Sequence, residues 1–196
     1  MEEKKVISKQ SIRSKYLAKR DALSLSQRKE KSGTIAELLK KETCYRESEA
    51  VFLYMDYRSE VMTTLLAEEL LTSGKRVFAP RVVGFDIVFY EIRSLDDLEA
   101  GYQGIREPVE KPEMLLKETV LQEKRCLVLV PGTVFDYECH RMGYGKGFYD
   151  RFLEKCGDNV TAVGLAFSCQ IAKMIPTESH DRRMDLIVTE NGIIKA

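Results

Sequence analysis

The chain has 196 residues, 44% hydrophobic and 32% charged, enough for one sizeable core that hides well over half of the unfolded surface. Lys and Arg number 31, as do Asp and Glu, so the net charge is zero and no global field recruits nucleic acid or anionic lipid; any anion site has to be local. The opening MEEKKVISKQ lacks the apolar centre of a secretory signal and no later apolar run approaches the roughly 20 residues that span a bilayer, which predicts a cytoplasmic protein with no membrane partner.

In chain order, residues 9–42 read as two helices. The first is KQSIRSKYLAKRDAL; the second opens with Ser24 and Gln27 in capping-box spacing and turns Ile35, Leu38 and Leu39 inward. Lys9 and Arg13 stand four apart and share one helix face, which is most simply a solvated face. AVFLYM (50–55) has strand length and composition, with Met55 read as core and Glu60 as a favourable charge in the first turn of a helix over 61–73 that Gly74 stops. RVFAP (76–80) and DIVFYEI (86–92) form a hairpin. CLVLV (126–130), a helix over 147–156, TAVGLAF (161–167) and DLIVT (185–189) follow.

Several of these strands are continuously apolar, as strands buried on both faces of a parallel sheet are. The fold expected is α/β: an open, mostly parallel but mixed sheet with helices on both faces, Rossmann-like in three layers, preceded by the N-terminal helices. No repeat or linker divides it, so 1–196 reads as a single domain. Ligands of such sheets sit beyond the carboxyl ends of the strands. Five widely spaced cysteines without a C-x-x-C pair read as reduced thiols. With only His140 and His180, both read as loop residues without chemistry, a transition-metal centre is disfavoured.

After CLVLV the chain runs PGTVFDYECHRMGYGKGFYDRFL (131–153), a long loop that enters a helix through Gly143, Gly145 and Gly147. Alternate glycines let the backbone approach a ligand and point successive N–H groups at it. A helix N-terminus adds partial positive charge and Arg141 and Lys146 add full charge, which together predict a polyphosphate cradle. G-x-x-x-x-G-K-[ST] is absent, and the third glycine falls one residue short of G-x-G-x-x-G. Three alternate glycines can also serve only tight packing; the flanking charges favour the cradle. Asp136 and Asp150 bracket the loop and Asp185 opens the last strand, positions from which carboxylates can hold Mg²⁺ against phosphates, although each is also an ordinary turn or helix-end residue.

The segment P-G-x-x-F-D-x(4)-R-x-G-Y-G-K-G-F-Y-D-R resembles the signature of the 5-formyltetrahydrofolate cyclo-ligase, or methenyltetrahydrofolate synthetase, family. KQSIR (9–13), the Glu60–Thr63 segment, RVFAP, GIREP (104–108) and IPTESHDRRMDLIVTENG (175–192) follow the same pattern in order, so the resemblance spans nearly the whole chain. One position departs from it: Cys139 stands where the family usually has glycine, and a cysteine tolerates positive φ poorly.

The resemblance implies an ATP- and Mg²⁺-dependent enzyme. It would convert 5-formyltetrahydrofolate to 5,10-methenyltetrahydrofolate, ADP and phosphate by phosphorylating the formyl oxygen and closing the ring with N10. It implies that Lys9, Gln10, Ser11, Ile12 and Arg13 contact ATP, with Arg13 also on the folate. Arg141, Met142, Gly143, Tyr144, Gly145, Lys146, Gly147, Phe148 and Tyr149 would line ATP, and Tyr144 through Phe148 the folate as well. Met55 and Glu60 would line the folate pocket, the Glu60 carboxylate accepting from the pterin N–H groups, and Asp150 and Asp185 would hold Mg²⁺. Tyr149 is the expected donor to the formyl oxygen, with Arg141 and Lys146 neutralising charge during transfer; the family also accepts glycine at Lys146, so that cation aids without being indispensable. The partner expected is a small molecule, on a monomer or weak homo-oligomer. An isomerase of sugar phosphates on the same kind of sheet, and a nucleotide-binding regulator without turnover, are the competing readings.

Overall fold

A computed structural model describes residues 8–178 and 181–196; His180 and the first seven residues, read above for a loop and a leader, lie outside the described residues. Helix α1 (Lys9–Asp21) starts where the Ser8 hydroxyl accepts the Ser11 N–H, and α2 (Leu25–Lys41) at the expected capping box, Ser24 and Gln27 each accepting a backbone N–H of the other. Such caps satisfy donors that a helix start leaves open. The chain continues through α3 (Thr43–Glu47), β1 (Ala50–Phe52), α4 (Thr64–Thr72), β2 (Arg76–Val83), β3 (Asp86–Ile92), β4 (Leu98–Ala100), β5 (Arg106–Pro108), α5 (Glu118–Glu123) and β6 (Cys126–Val130). It ends with β7 (Val134–Asp136), β8 (Arg141–Met142), α6 (Phe148–Glu154), β9 (Val160–Leu165), β10 (Ile171–Ala172), β11 (Leu186–Thr189) and β12 (Gly192–Lys195).

The main sheet has seven strands in the order β12-β11-β9-β6-β1-β2-β3. The five central strands run parallel, and β12 and β3 close the edges antiparallel. Alternate residues of each strand face opposite layers. Leu127 and Leu129 of β6 meet α2 and α4 through Ile35, Leu39, Leu66 and Leu70, while Cys126, Val128 and Val130 meet α5 and α6 through Val120, Leu121, Phe152 and Leu153. This is the expected three-layer, mixed α/β arrangement. On the α6 side Phe52 stacks on Phe78 at 4.7 Å, and Phe152 meets Phe89 at 4.4 Å, offset geometries that add to area burial. Among the described residues no helix is long and apolar enough to cross a membrane.

Several boundaries differ from expectation for identifiable reasons. AVFLYM is strand only through Phe52, with one further bond from the Leu53 N–H to the Phe78 carbonyl; Tyr54 and Met55 stay buried beyond it, so their apolar character reflects what they line. The hairpin closes on Gly84 and Phe85 alone, with Val83 opposite Asp86. A second sheet, β10-β7-β8, and the β4–β5 hairpin were not anticipated, since strands of two or three residues carry too little periodicity to register. Cys139 does adopt φ 62. The turn is held by Asp136, whose carboxylate accepts the N–H groups of Glu138, His140 and Ile175, and fully buried Cys139 accepts the Met184 N–H through its carbonyl. These bonds offset the strain of a left-handed cysteine and make Asp136 a structural residue, not the metal ligand its position allowed.

Gly164 on β9 lies tight against the small sheet. A Cβ there would lie 2.6 Å from the Phe135 ring and 3.3 Å from Ile187, and Phe135 is fully buried. Gly164→Ala is therefore expected to destabilise the fold by about 2 kcal/mol through overpacking, read as a lower urea midpoint with an unchanged slope.

Candidate active site

The path β1–α4–β2 runs toward one edge of the sheet, and β6–α6–β9–β11 toward the other. Because β1 and β6 are neighbours, the two directions diverge between them and a crevice opens at their carboxyl ends, the usual ligand position in such sheets. A cavity of about 710 Å³ lies there, walled by Tyr54 and Met55 after β1, Pro131 after β6, Pro80 and Val82 of β2, Arg13 of α1 and the 143–147 loop.

The glycine loop lies bare among arginines. Arg13 Nε donates to the Gly143 carbonyl at 2.9 Å. A Cβ on Gly143 would lie 2.8 Å from Arg141, one on Gly145 3.5 Å from Arg13, and one on Gly147 2.7 Å from Arg151. Gly145 and Gly147 also take φ of 92 and 68, where a side chain is strained. Helix α6 is only seven residues long, so its dipole contributes less than expected, and the positive character of the loop rests on guanidinium groups. Arg141, nearly buried, pairs with Asp150 at 2.7 Å, and its buried Nε has no hydrogen-bond partner among the described residues. The Tyr149 hydroxyl is likewise buried and unpartnered, and burial, then the nearby Glu60, push its phenol far up from its ordinary value. It stays protonated and available as a donor.

A polar network lies beneath the loop. Arg20, 1% exposed, donates from Nε to Ser59 Oγ at 3.0 Å, from Nη1 to the Gly132 carbonyl at 3.2 Å and from Nη2 to the Tyr144 hydroxyl at 2.6 Å. Ser59 in turn donates to Asp21. Glu60 stands 3.9 Å from Arg20 and accepts the Tyr57 N–H at 2.9 Å. Burial pushes Glu60 up to about 7, while Arg20, the Tyr57 N–H and the Tyr144 hydroxyl pull against it. Burial also pushes Tyr144 up to about 12.

Of the residues expected from the sequence, Lys9, Arg13, Met55, Glu60, Arg141 to Tyr149 and Asp150 line one cavity. Lys9 meets it already paired, 2.9 Å from Glu178 and 3.3 Å from Asp181. Gln10 and Ser11 are exposed and Ile12 packs under the small sheet, so none of the three lines the cavity. Asp185 lines a separate shallow cleft and accepts the Ala162 N–H at 2.7 Å; the structure does not bring it to the cavity wall with Asp150. Among the described residues no three His, Cys, Asp or Glu side chains converge to hold a metal. Sequence reasoning missed Arg20 and Arg151. Arg20 was findable, because it follows Arg13 by seven residues and so shares its helix face; Arg151 acts through the tertiary approach of α6 to the β2–β3 turn, where it pairs with Asp86 at 2.6 Å.

Compared with known proteins, residues 5–190 match the profile of the 5-formyltetrahydrofolate cyclo-ligase family. The 5-formyltetrahydrofolate cyclo-ligase of Saccharomyces cerevisiae is 31% identical over 83% of this chain and 86% of its own. That of Mus musculus is 25% identical over 94% and 95%. A solved 5,10-methenyltetrahydrofolate synthetase from Aquifex aeolicus superposes with a TM-score of 0.82 at 34% identity, covering 95% of this chain and 92% of that one. One from Mycoplasma pneumoniae superposes at 0.71 and 24% identity, over 93% and 99%, and supports the fold.

The buried pair makes a direct prediction. In carbon-13 spectra of the side-chain carboxyls, with Glu60→Gln to assign the signal, Glu60 titrates near pH 7. Arg20→Met removes the cation that favours the ionised form, so the midpoint moves higher; an unmoved midpoint would mean that Arg20 does not govern Glu60.

Proposed function

Because this chain belongs to the 5-formyltetrahydrofolate cyclo-ligase family, we propose that its cavity binds ATP with Mg²⁺ beside 5-formyltetrahydrofolate and forms 5,10-methenyltetrahydrofolate, ADP and phosphate. The observation that carries this reading is the bare 143–147 backbone bordered by Arg13, Arg141 and Arg151. It suits a polyphosphate whose terminal group must face a second ligand in the same cavity. A formyl amide oxygen leaves poorly. Its attack on the terminal phosphorus, with the bond to ADP breaking, makes it part of a phosphate ester; N10 then bonds to the formyl carbon, phosphate departs with the oxygen, and N10 gives up its proton.

The protein's share is alignment and charge neutralisation, the main levers in phosphoryl transfer. Arg141 and Lys146 offset the charge that spreads over the transferred group, and the unpartnered Arg141 Nε supports that role. Tyr149 donates its buried hydroxyl to the formyl oxygen. Glu60, in the carboxylate form that Arg20 favours, accepts from the pterin N–H groups, and Met55 fills against the ring. Arg13 bridges the loop and both ligands, while Lys9 meets the nucleotide from the rim. When bound, Mg²⁺ would neutralise the phosphates. Asp150, at the cavity wall, and Asp185, which lines the neighbouring cleft, would hold it, with phosphate oxygens and water completing the shell. A cytoplasmic setting and a small-molecule partner belong to the same reading.

Two experiments test it. Purified protein with Mg²⁺, ATP and 5-formyltetrahydrofolate should show a rise in near-ultraviolet absorbance from the methenyl product; no rise, or an equal one without ATP, sinks the reading. Tyr149→Phe removes a buried hydroxyl without a partner among the described residues, so stability should hold or improve, while kcat drops about 100-fold with the lost donor. A variant that turns over normally would take Tyr149 out of the reaction.

A further inference from the structure

One wall of the cavity carries none of the residues expected to touch either ligand. It is made by β2, β3 and the β4–β5 hairpin, and its polar centre is Glu107. Glu107 is 4% exposed. One of its oxygens accepts the Val82 N–H at 3.1 Å; the other accepts no hydrogen bond, and no cation pairs with the carboxylate among the described residues. A carboxyl group that is almost wholly buried and accepts one neutral donor keeps acceptor capacity free on its second oxygen.

The backbone is shaped around this carboxylate. Gly101 faces it so closely that an added Cβ would collide with its terminal atoms. Gln103 takes φ 55, which turns the hairpin back so that Glu107 on β5 reaches β2. Pro80, Val82, Ile87, Tyr102 and Ile105 form the surrounding cavity wall. Apolar side chains with one acceptor that retains free lone pairs complement a flat ring whose edge carries N–H donors.

We propose that Glu107 and this wall form a second ring-recognition subsite, one that accepts the N–H-bearing edge of a heteroaromatic ring. The inference rests on the reading that the cavity holds ATP and a reduced folate. Both carry such an edge: the pterin has ring N–H groups and an amino group, and adenine has an exocyclic amino group. Glu107 is thus a specificity-determining residue distinct from Glu60.

The test is calorimetric titration, without turnover, of 5-formyltetrahydrofolate and separately of ADP with Mg²⁺ into the wild type, Glu107→Gln and Gly101→Ala. Glu107→Gln keeps the shape but loses the charged acceptor; Gly101→Ala displaces the carboxylate and keeps its charge. One ligand is expected to bind both variants at least about ten-fold more weakly while the other stays within about two-fold, with the melting temperature of Glu107→Gln close to wild type. Loss confined to the folate places the pterin on Glu107; loss confined to the nucleotide places the adenine there. Wild-type affinity for both ligands in both variants overturns the subsite alone, and so does an equal loss for both ligands with a lowered melting temperature. A wild type that binds neither ligand overturns the functional reading and the subsite with it.

Discussion

The Arg20 guanidinium ties together three stretches of chain that are far apart in sequence. Its nitrogens reach Ser59 in the turn after β1, Gly132 after β6 and Tyr144 in the glycine loop, so helix α1 is fastened across the crevice where the sheet changes direction. Removing a cation from water is expensive unless it is hydrogen-bonded and paired; each Arg20 nitrogen makes one hydrogen bond, and Glu60 stands nearby. The arrangement leaves little freedom: if α1 shifted, the phenol of Tyr144 and the carboxylate of Glu60 would both lose their reference point. One buried charge therefore fixes the floor of the cavity, and the loop above it inherits its position.

The loop answers a different constraint. A polyanion can be held by main-chain amides only if no side chain intervenes, and at Gly143, Gly145 and Gly147 the space a Cβ would take is bordered by guanidinium groups. The cations sit around the loop, and several are restrained before any ligand arrives: Arg13 by the Gly143 carbonyl, Arg141 by Asp150, Arg151 by Asp86. Such pre-organisation lowers the entropy lost on binding. In a chain with no net charge, the positive character is confined to the loop itself, because carboxylates such as Glu60, Glu107 and Asp150 line the same cavity.

Much of the fold was legible because long, continuously apolar runs have few alternatives. CLVLV buries every residue, and the Ser24–Gln27 cap announces α2. What escaped were short elements, β4, β5, β7, β8 and β10, whose pairing comes from partners remote in sequence. The site divided in the same way. The glycine loop was readable because alternate glycines beside Arg141 and Lys146 are a local pattern, and Lys9 and Arg13 were readable as one helix face. Gln10, Ser11 and Ile12 were carried along by that stretch, yet helical rotation turns them away from the cavity. Asp185 was read with Asp150 from its position and from the motif; in the fold its carboxylate accepts the Ala162 N–H and lines the neighbouring cleft, a contact that no local pattern announces.

By itself the sequence determined the α/β layering, the hairpin, the bare, cation-flanked backbone of residues 143–147 and the family pattern, because periodicity, backbone freedom and local charge are properties of neighbouring residues. Only the tertiary structure decided that Arg20 lies beneath the site, that Asp136 braces a turn, that the Tyr149 hydroxyl is left without a partner, and that Glu107 opens on the cavity. These outcomes depend on burial and on which remote group arrives within hydrogen-bonding distance. The energy of a charge or hydroxyl changes sign with its surroundings, and those surroundings exist only once the chain has folded.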